Sequence, residues 1–248
     1  NGHGPDTAWD VGDYTLRIVA KTKLPSQVYD LGGREAAAGR RPHPEVKVTV
    51  LDAAQFGANG SDAGDDTEAI QAALNEAARA PGVAVVSLAR GRYMVNAQLR
   101  IPPFTLLQGA ATALTAICVA DTDDPPEAWV QGTHHFGLQD LTLFCSNHRH
   151  IIAGDMSGDP ARSGHVSLRR VRVRGDAYRG HLEEKQVAER FAMAQRLSTG
   201  GGDTVRFSGP DVVVADCDLY GSGRSIYYHR VIGGCVLNTH LWNGRWGW

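Results

Sequence analysis

The second half of the chain repeats one short strand pattern, and this repetition constrains the fold more than any other feature. Four segments align with one another, and they start at His135, His165, Asp211 and Arg230. The last two copies start 19 residues apart, which is close to one turn of a solenoid, where periods of roughly 20–50 residues are typical. Because one coil cannot bury its apolar face alone, like residues stack along the axis. The alignment predicts two such columns, one of Phe136, Val166, Val212 and Val231 and one of Leu141, Val171, Cys217 and Cys235.

The first half predicts one helix followed by short strands. Asp65 can cap the free amides of a helix, and Glu68 three residues later can reach back, as in a capping box. The residues Ile70, Ala73, Leu74 and Ala77 then form one apolar stripe, and the helix is expected to end near residue 80, before Pro81. The apolar runs after Val83 have no helices between them, which excludes a doubly wound α/β sheet.

A motif in the first half resembles a known family. Residues 56–74 read Phe-Gly-Ala-Asn-Gly-Ser-Asp-Ala-Gly-Asp-Asp-Thr-Glu-Ala-Ile-Gln-Ala-Ala-Leu. This stretch is similar to the opening signature of the pectate-lyase superfamily. The resemblance implies an all-β fold, a right-handed parallel β-helix built from coils of three short strands. It also implies that the helix of the signature caps the N-terminal end of the solenoid, where an open edge would otherwise pair with another chain.

The chain divides into two segments on this interpretation. Residues 1–45 are a lead-in of strands and linker, and residues 46–248 form the β-helix, with an insertion at about 174–202. Three tryptophans lie within the last seven residues. Because exposed tryptophans leave apolar area without a partner, we expect the solenoid to be truncated at its C-terminus, with further coils after residue 248.

Composition argues against several classes of partner. The formal net charge is −2, so the chain has no basic surplus for nucleic acid, and no apolar run reaches the roughly 18 residues that a membrane helix needs. The four cysteines lack the spacing of a metal site, and neither they nor His134, His135, His148 and His150 predict a metal or a cofactor. We expect buried thiols, with one disulfide left open if the protein is exported.

The resemblance also implies where a substrate would bind. In such β-helices the groove follows the strand after the longest loop of each coil, here residues 151–155, 203–207, 225–228 and 245–248. Alternation then places Asp203 or Thr204, Arg206, Ser225 and Tyr227 near the outer face, although a slip of one residue would invert the assignment.

Glycoside hydrolysis usually needs two carboxyl groups, one of which protonates the leaving oxygen. Asp203, which follows three glycines, is the first candidate for a catalytic acid, and Asp155 is the second. Glu183 and Glu184, in the insertion, are weaker candidates. A turn aspartate or a solvated charged face is the structural alternative for each. The candidates for substrate binding are Arg206, Arg224, Tyr227, His229, Trp246 and Trp248. Asp216 and Asp218 are assigned instead to a polar ladder on the back of the solenoid.

These patterns together predict an enzyme that acts on a polysaccharide, with a glycoside hydrolase slightly favoured over a lyase. The alternatives are a non-enzymatic carbohydrate-binding or adhesion module, such as a phage tailspike, and an inactive fragment with an incomplete site. A polysaccharide or oligosaccharide is the expected partner. We expect a monomer, or a trimer if the protein is tailspike-like, and the family implies a secreted or periplasmic location.

Overall fold

The computed structural model describes residues 47–122, 124–145, 147–157, 159, 162–175, 183–186, 188–189, 202–221 and 224–243. The expected lead-in segment and the terminal strand at 245–248 lie outside these residues, as does most of the insertion. In the described part of the chain, no helix is long and apolar enough to cross a membrane.

Short parallel strands dominate the structure. A 3-10 helix spans Ala53–Phe56 and helix α1 spans Thr67–Ala77. The strands are β1 Val48–Asp52, β2 Val83–Leu88, β3 Gly91–Val95, β4 Leu99–Ile101, β5 Thr105–Gly109, β6 Thr115–Val119, β7 Ala128–Gly132, β8 His134–Cys145, β9 His150–Ala153, β10 Gly164–Gly175, β11 Asp203–Pro210, β12 Val212–Ala215, β13 Asp218–Gly221, β14 Arg224–Ile232, β15 Cys235–Leu237 and β16 His240–Asn243.

The strands stack into two sheets, and every strand pairing among the described residues is parallel. One sheet has five strands in the order β14-β11-β9-β7-β4. The other has eleven strands and two limbs, because the long strands β8 and β10 pair with different neighbours along their two halves. The first limb runs β1-β2-β5-β8-β10-β12-β15, and the second limb joins β3, β6, β8, β10, β13 and β16. The predicted parallel β-helix is thereby confirmed.

Left-handed backbone residues mark the bend between the two limbs. Asp140, Arg170, Asp216 and Asn238 all have positive φ values, between 43° and 58°. Such residues turn the chain sharply within one position. Arg170 Nε lies 2.5 Å from Asp140 Oδ1, and the Asn238 amide donates to Asp216 Oδ1 at 2.7 Å. The polar ladder predicted for Asp216 is therefore present at this bend.

The predicted register is correct for three of the four repeats and wrong for the last. Phe136 pairs with Val166, and Val166 pairs with Val212, as the alignment predicted. However, Val213 pairs with Cys235, which places strands β12 and β15 22 residues apart rather than 19. Strand β14 continues to Ile232 and contains a register shift, so the next turn comes three residues later than a simple overlay assumes.

Helix α1 packs on β1, β2 and β4 at the first coil, through the buried residues Thr67, Ile70, Ala73, Leu74 and Ala77. The predicted apolar stripe is therefore correct. The N-cap residue is Asp66 rather than the predicted Asp65, and its side chain makes no capping hydrogen bond to the helix. Asp65, one residue earlier, accepts a hydrogen bond from the Thr67 amide at 2.9 Å, so the first amide of the helix still has an acceptor. Helix α1 ends at Ala77, three residues before the predicted end.

Stacked aliphatic rows fill the interior of the solenoid. Leu107, Leu138, Leu168 and Val214 are completely buried, one on each successive coil. The thiols of Cys118, Cys145 and Cys217 are buried, whereas Cys235 is half-buried.

Candidate functional site

The five-stranded sheet brings Arg206 and Tyr227 side by side. Arg206 on β11 is the register partner of Tyr227 on β14, and both side chains are half-buried on the outer face. Val205, which precedes Arg206 on β11, is completely buried and faces the core. The outward assignment of Arg206 and Tyr227 is therefore correct.

Asp203, at the start of β11, is buried beneath this surface and contacts side chains that form it. Its side chain is 0% exposed, and the Arg224 Nε atom lies 2.6 Å from Asp203 Oδ1. The other oxygen, Oδ2, lies 3.2 Å from His150 Nδ1 and 3.3 Å from an Arg206 guanidinium nitrogen. Burial alone would raise the pKa of Asp203, but the hydrogen bonds and charges of His150 and Arg224 lower it below the usual value. Asp203 is accordingly a charged group that fixes three neighbouring side chains.

Two guanidinium groups lie against the ring of Tyr227. The Arg224 Cζ atom is 4.0 Å from the ring centroid and the Arg206 Cζ atom is 4.7 Å from it. Both distances are within the range of a cation–π interaction. The ring of His229 stacks beyond Tyr227, with the centroids 6.2 Å apart and an angle of 24° between the planes. The result is an ordered surface of two cations, a phenol and an imidazole.

A cleft of about 330 Å³ opens beside this surface. Arg206 belongs to both, because its side chain reaches the Tyr227 ring and also lines the cleft. The volume is at the lower end of the range for small-molecule sites. The cleft is lined by Asp155, Met156, Ser157, Arg206, Phe207, Ser208, His229 and Arg230.

Asp155 forms the acidic wall of the cleft and is only 7% exposed. Its Oδ2 atom accepts hydrogen bonds from the Ser157 amide, at 3.1 Å, and from the Ser157 hydroxyl. The Arg162 Nε atom lies 3.9 Å from its other oxygen. The Ser208 hydroxyl donates to the Asp155 backbone carbonyl at 2.9 Å, which joins the loop after β9 to strand β11.

A β-bulge places the basic side chains of β14 at the cleft. The register between β11 and β14 shifts after Ser208, so that Arg230 is an extra residue between His229 and Val231. Arg230 has a φ of 54°, a conformation that costs energy for a residue other than glycine. Bulges of this kind re-aim neighbouring side chains and are common next to active sites. Here the bulge lets both His229 and Arg230 line the cleft.

The structure brings together six of the ten residues singled out from sequence. Asp155, Asp203, Arg206, Arg224, Tyr227 and His229 all lie at the cleft or on the adjoining surface. Glu183 and Glu184 are exposed and are absent from the cleft lining. Trp246 and Trp248 lie outside the described residues. Thr204 and Ser225, which alternation had placed near the outer face, are buried.

Sequence reasoning missed Arg230, Ser157 and Ser208 as site residues, and it considered His150 only as a metal ligand, a role that its spacing did not support. His150 lies beside Asp203 because β9 and β11 are register neighbours, although the two residues are 53 positions apart. No local sequence pattern predicts a contact between two residues so far apart in the chain. In the described part of the chain, no group of three or more His, Cys, Asp or Glu side chains is arranged to hold a metal ion.

Comparison with known proteins supports the fold. Residues 50–130 match the family model described as rhamnogalacturonase A/epimerase, pectate lyase-like. Two curated relatives from Azotobacter vinelandii are similar over 146 residues, half of this chain. They are mannuronan C5-epimerase AlgE3, at 34% identity, and mannuronan C5-epimerase AlgE1, at 32%. The matched part is 8% of the first relative and 10% of the second, so the chain spans a small part of their length.

A solved structure agrees with the arrangement of coils. The A-module of the mannuronan C-5 epimerase AlgE6 from Azotobacter vinelandii superposes with a TM-score of 0.56 at 24% sequence identity. The superposition covers 76% of this chain and 49% of that module. At this level of identity the likeness establishes a shared fold and leaves the chemistry of the cleft to be argued from its own residues.

Proposed function

We propose that this chain, whose fold is the parallel β-helix of the pectate-lyase superfamily, binds an acidic polysaccharide along its five-stranded sheet and transfers a proton at the carbon that bears a uronate carboxylate. The curated relatives are mannuronan C5-epimerases, and mannuronan is a polymer of uronate units. The polymer class is taken from these relatives, and the reaction is argued below from the cleft.

The observation that supports the proposal best is the surplus of positive charge at the cleft. Arg206 and Arg230 line it together with His229. The two nearby carboxylates do not balance the arginines, because Asp203 is shared by Arg224 and Arg206 and Asp155 already accepts from Ser157. A planar guanidinium can bind a carboxylate through two parallel hydrogen bonds. A uronate is therefore the sugar that this cleft fits best.

The same side chains supply the groups that such a reaction needs. Neutralising the uronate carboxylate makes the hydrogen on the adjacent carbon more acidic, and Arg206 and Arg230 can do this. The His229 imidazole accepts that proton, and the electron pair moves into the carboxylate as an enolate. Inversion needs a second group that returns a proton to the opposite face of the carbon. We assign this role to the Tyr227 hydroxyl, after which His229 and Tyr227 exchange protons with water. Departure of the neighbouring glycosidic oxygen, which takes its proton from the same hydroxyl, instead breaks the chain and leaves a double bond.

Hydrolysis fits these residues less well. It requires a carboxylic acid that keeps its proton until the leaving oxygen takes it. The lowered pKa of Asp203 makes that residue a poor proton donor. The glycosidase expected from sequence stays a prediction, with Asp155 as its remaining acid. A secreted or periplasmic location remains a proposal that follows from the polymer substrate.

A single incubation series distinguishes these reactions. The protein is incubated in D2O with mannuronan, polygalacturonate and a neutral β-glucan, and the products are examined by proton NMR, ultraviolet absorbance and a reducing-end assay. We expect inverted uronate units carrying deuterium, or unsaturated ends that absorb in the ultraviolet, with the neutral glucan unchanged. New reducing ends without absorbance would instead establish a hydrolase.

Three substitutions assign the roles. Arg206→Gln should lower affinity for the uronan about 10- to 100-fold, since it removes a charge-assisted contact. His229→Gln and Tyr227→Phe should lower turnover while leaving binding nearly unchanged. Arg79→Gln is a matched control, because Arg79 is an exposed arginine of the chain segment after α1 and pairs with Glu76. Normal turnover by His229→Gln would remove that residue from the mechanism.

A non-enzymatic carbohydrate-binding module is the second candidate, favoured by the fixed arrangement of Arg224, Tyr227 and Arg206. Two cations held against one ring by a buried carboxylate form a preorganised surface that needs no catalytic group. Saturable uronan binding that Arg206→Gln weakens, with no chemical change in any of the three assays, would establish this function instead.

A further inference from the structure

The second limb of the eleven-stranded sheet carries another ordered surface, away from the cleft. Arg174 on β10 is the register partner of Tyr220 on β13, and Tyr220 is the partner of Trp242 on β16. These three residues form what we call the lateral row. The residue between Asp218 and Tyr220, Leu219, is completely buried, so the row lies on the outer face.

The lateral row is exposed, basic and held in place. Trp242 is 53% exposed, which is unusual for so large an apolar side chain, and the ring of His240 packs edge-on against it at 5.5 Å. Asp218 lies 2.5 Å from an Arg174 guanidinium nitrogen and 3.7 Å from the Arg172 Nε atom. One carboxylate thus faces two arginines, and the surface keeps a surplus positive charge.

The spacing of the row suits a sugar polymer. Neighbouring strands of a sheet are about 4.8 Å apart, which is close to the length that one unit adds to an extended glycan. Tyr220 and Trp242 can each stack on the apolar face of a sugar ring. Arg174, one strand earlier, and Arg172 share the single carboxylate of Asp218, so the two arginines keep one positive charge that attracts an acidic substituent on the adjacent unit. A cation followed by two aromatic rings is therefore what an acidic glycan parallel to the solenoid axis would contact.

We propose that the lateral row is a second binding site for an acidic polysaccharide, on a different sheet from the cleft. The proposal takes its polymer class from the proposed function, but its position, residues and stoichiometry are independent of the cleft. A second site would hold one part of a long polymer on the protein while another part is exchanged at the cleft, because tethering raises the effective local concentration.

Calorimetric titration of the whole chain with a short oligomannuronate tests the proposal. We expect two sites per molecule for the wild type. Trp242→Ala should weaken only the lateral site, Arg206→Gln should weaken only the cleft, and the double variant should show neither site at full strength. Loss of the stacking ring should weaken the lateral site about three- to tenfold. The two proposals fail separately. If the titration shows a single site that Arg206→Gln does not weaken, the cleft is not a binding site. If it shows a single site that Trp242→Ala does not weaken, the lateral row is not a binding site.

Further variants guard against misfolding and against a different partner. Arg174→Gln should weaken the same site as Trp242→Ala, with Arg174→Lys retaining part of the affinity. Phe104→Ala, at a 49% exposed aromatic residue elsewhere, should leave both sites unchanged. If sedimentation shows that Trp242→Ala dissociates an oligomer while both glycan sites persist, the row is a contact between copies and the proposal is wrong.

Discussion

The Nε atom of Arg224 lies 2.6 Å from Oδ1 of Asp203, its register partner on the neighbouring strand. This ion pair crosses from one coil to the next at the edge of the candidate site. The carboxylate is fully buried, whereas the arginine is partly exposed and lies flat against Tyr227. The same contact therefore links two coils and fixes the position of Arg224 on the surface that would meet a substrate.

Replacing Asp203 by Asn should destabilise the protein by about 2–4 kcal/mol. The substitution leaves the guanidinium groups of Arg224 and Arg206 and the ring of His150 without their charged partner, and removing one member of a buried pair is costly. Thermal or urea unfolding measures the loss. Asp124→Asn is the control, because Asp124 pairs with Arg149 on the surface and its side chain is 89% exposed, so that its loss should be barely detectable. Equal effects of the two substitutions would contradict the organising role of Asp203.

Stability should fall as the pH drops from about 6.5 to 4 because of His135. Its ring stacks on His165 with the centroids 4.1 Å apart, and burial, followed by the charges of His165 and His134, lowers its pKa to about 4. In the unfolded chain, His135 takes up a proton near its ordinary pKa of 6.5, whereas in the folded protein it does so only near its lowered pKa of about 4. Stability from this residue is thus complete above pH 6.5 and lost through that window.

The substitution His135→Phe should remove this pH dependence, which is of order 1–3 kcal/mol. Phenylalanine suits the position, because Phe104 has a similar φ, 58° against 50°, and packs on His135 with the ring centroids 4.7 Å apart. Unfolding of the two proteins should be followed by denaturant titration at several pH values. An unchanged slope of stability against pH in the variant would show that another group is responsible.

Much of the fold follows from the sequence because stacking imposes a column of like residues. The columns through Phe136, Val166 and Val212 were predictable for this reason. The site was less predictable, since strict alternation fails where a strand starts: Asp203 and Thr204 are adjacent and both are completely buried. Asp203 can be buried because its partners come from other coils, at His150 and Arg224. The bulge at Arg230 leaves no sign in Tyr-Tyr-His-Arg-Val-Ile, so the last register could not be predicted.

Gly164 should tolerate no side chain. Its φ is +88°, and a Cβ atom there would lie 2.3 Å from the backbone oxygen of Pro210 on the next strand of the chain. Gly164→Ala should therefore cost more than about 2 kcal/mol, from backbone strain together with overpacking. Gly64→Ala is the matched control, since its Cβ would meet only the Asp62 side chain, at 3.1 Å. Denaturant unfolding of the two variants should separate them clearly, and similar midpoints would contradict the close approach of β10 to Pro210.

Arg230→Gly should stabilise the protein while weakening its binding of uronan. Glycine adopts the positive φ of this bulge without strain, so a gain of about 1 kcal/mol is expected. The same change removes a guanidinium from the cleft lining.

Arg230→Lys separates the two effects, because it keeps the backbone strain and the charge but loses the planar group that can bind a carboxylate through two hydrogen bonds. Thermal unfolding and uronan titration should be measured on both variants. A glycine variant that is more stable and binds normally would show that the bulge serves the backbone alone. Weaker binding in both variants, with higher stability only in the glycine variant, would show that the fold tolerates strain at Arg230 because the side chain is needed at the cleft.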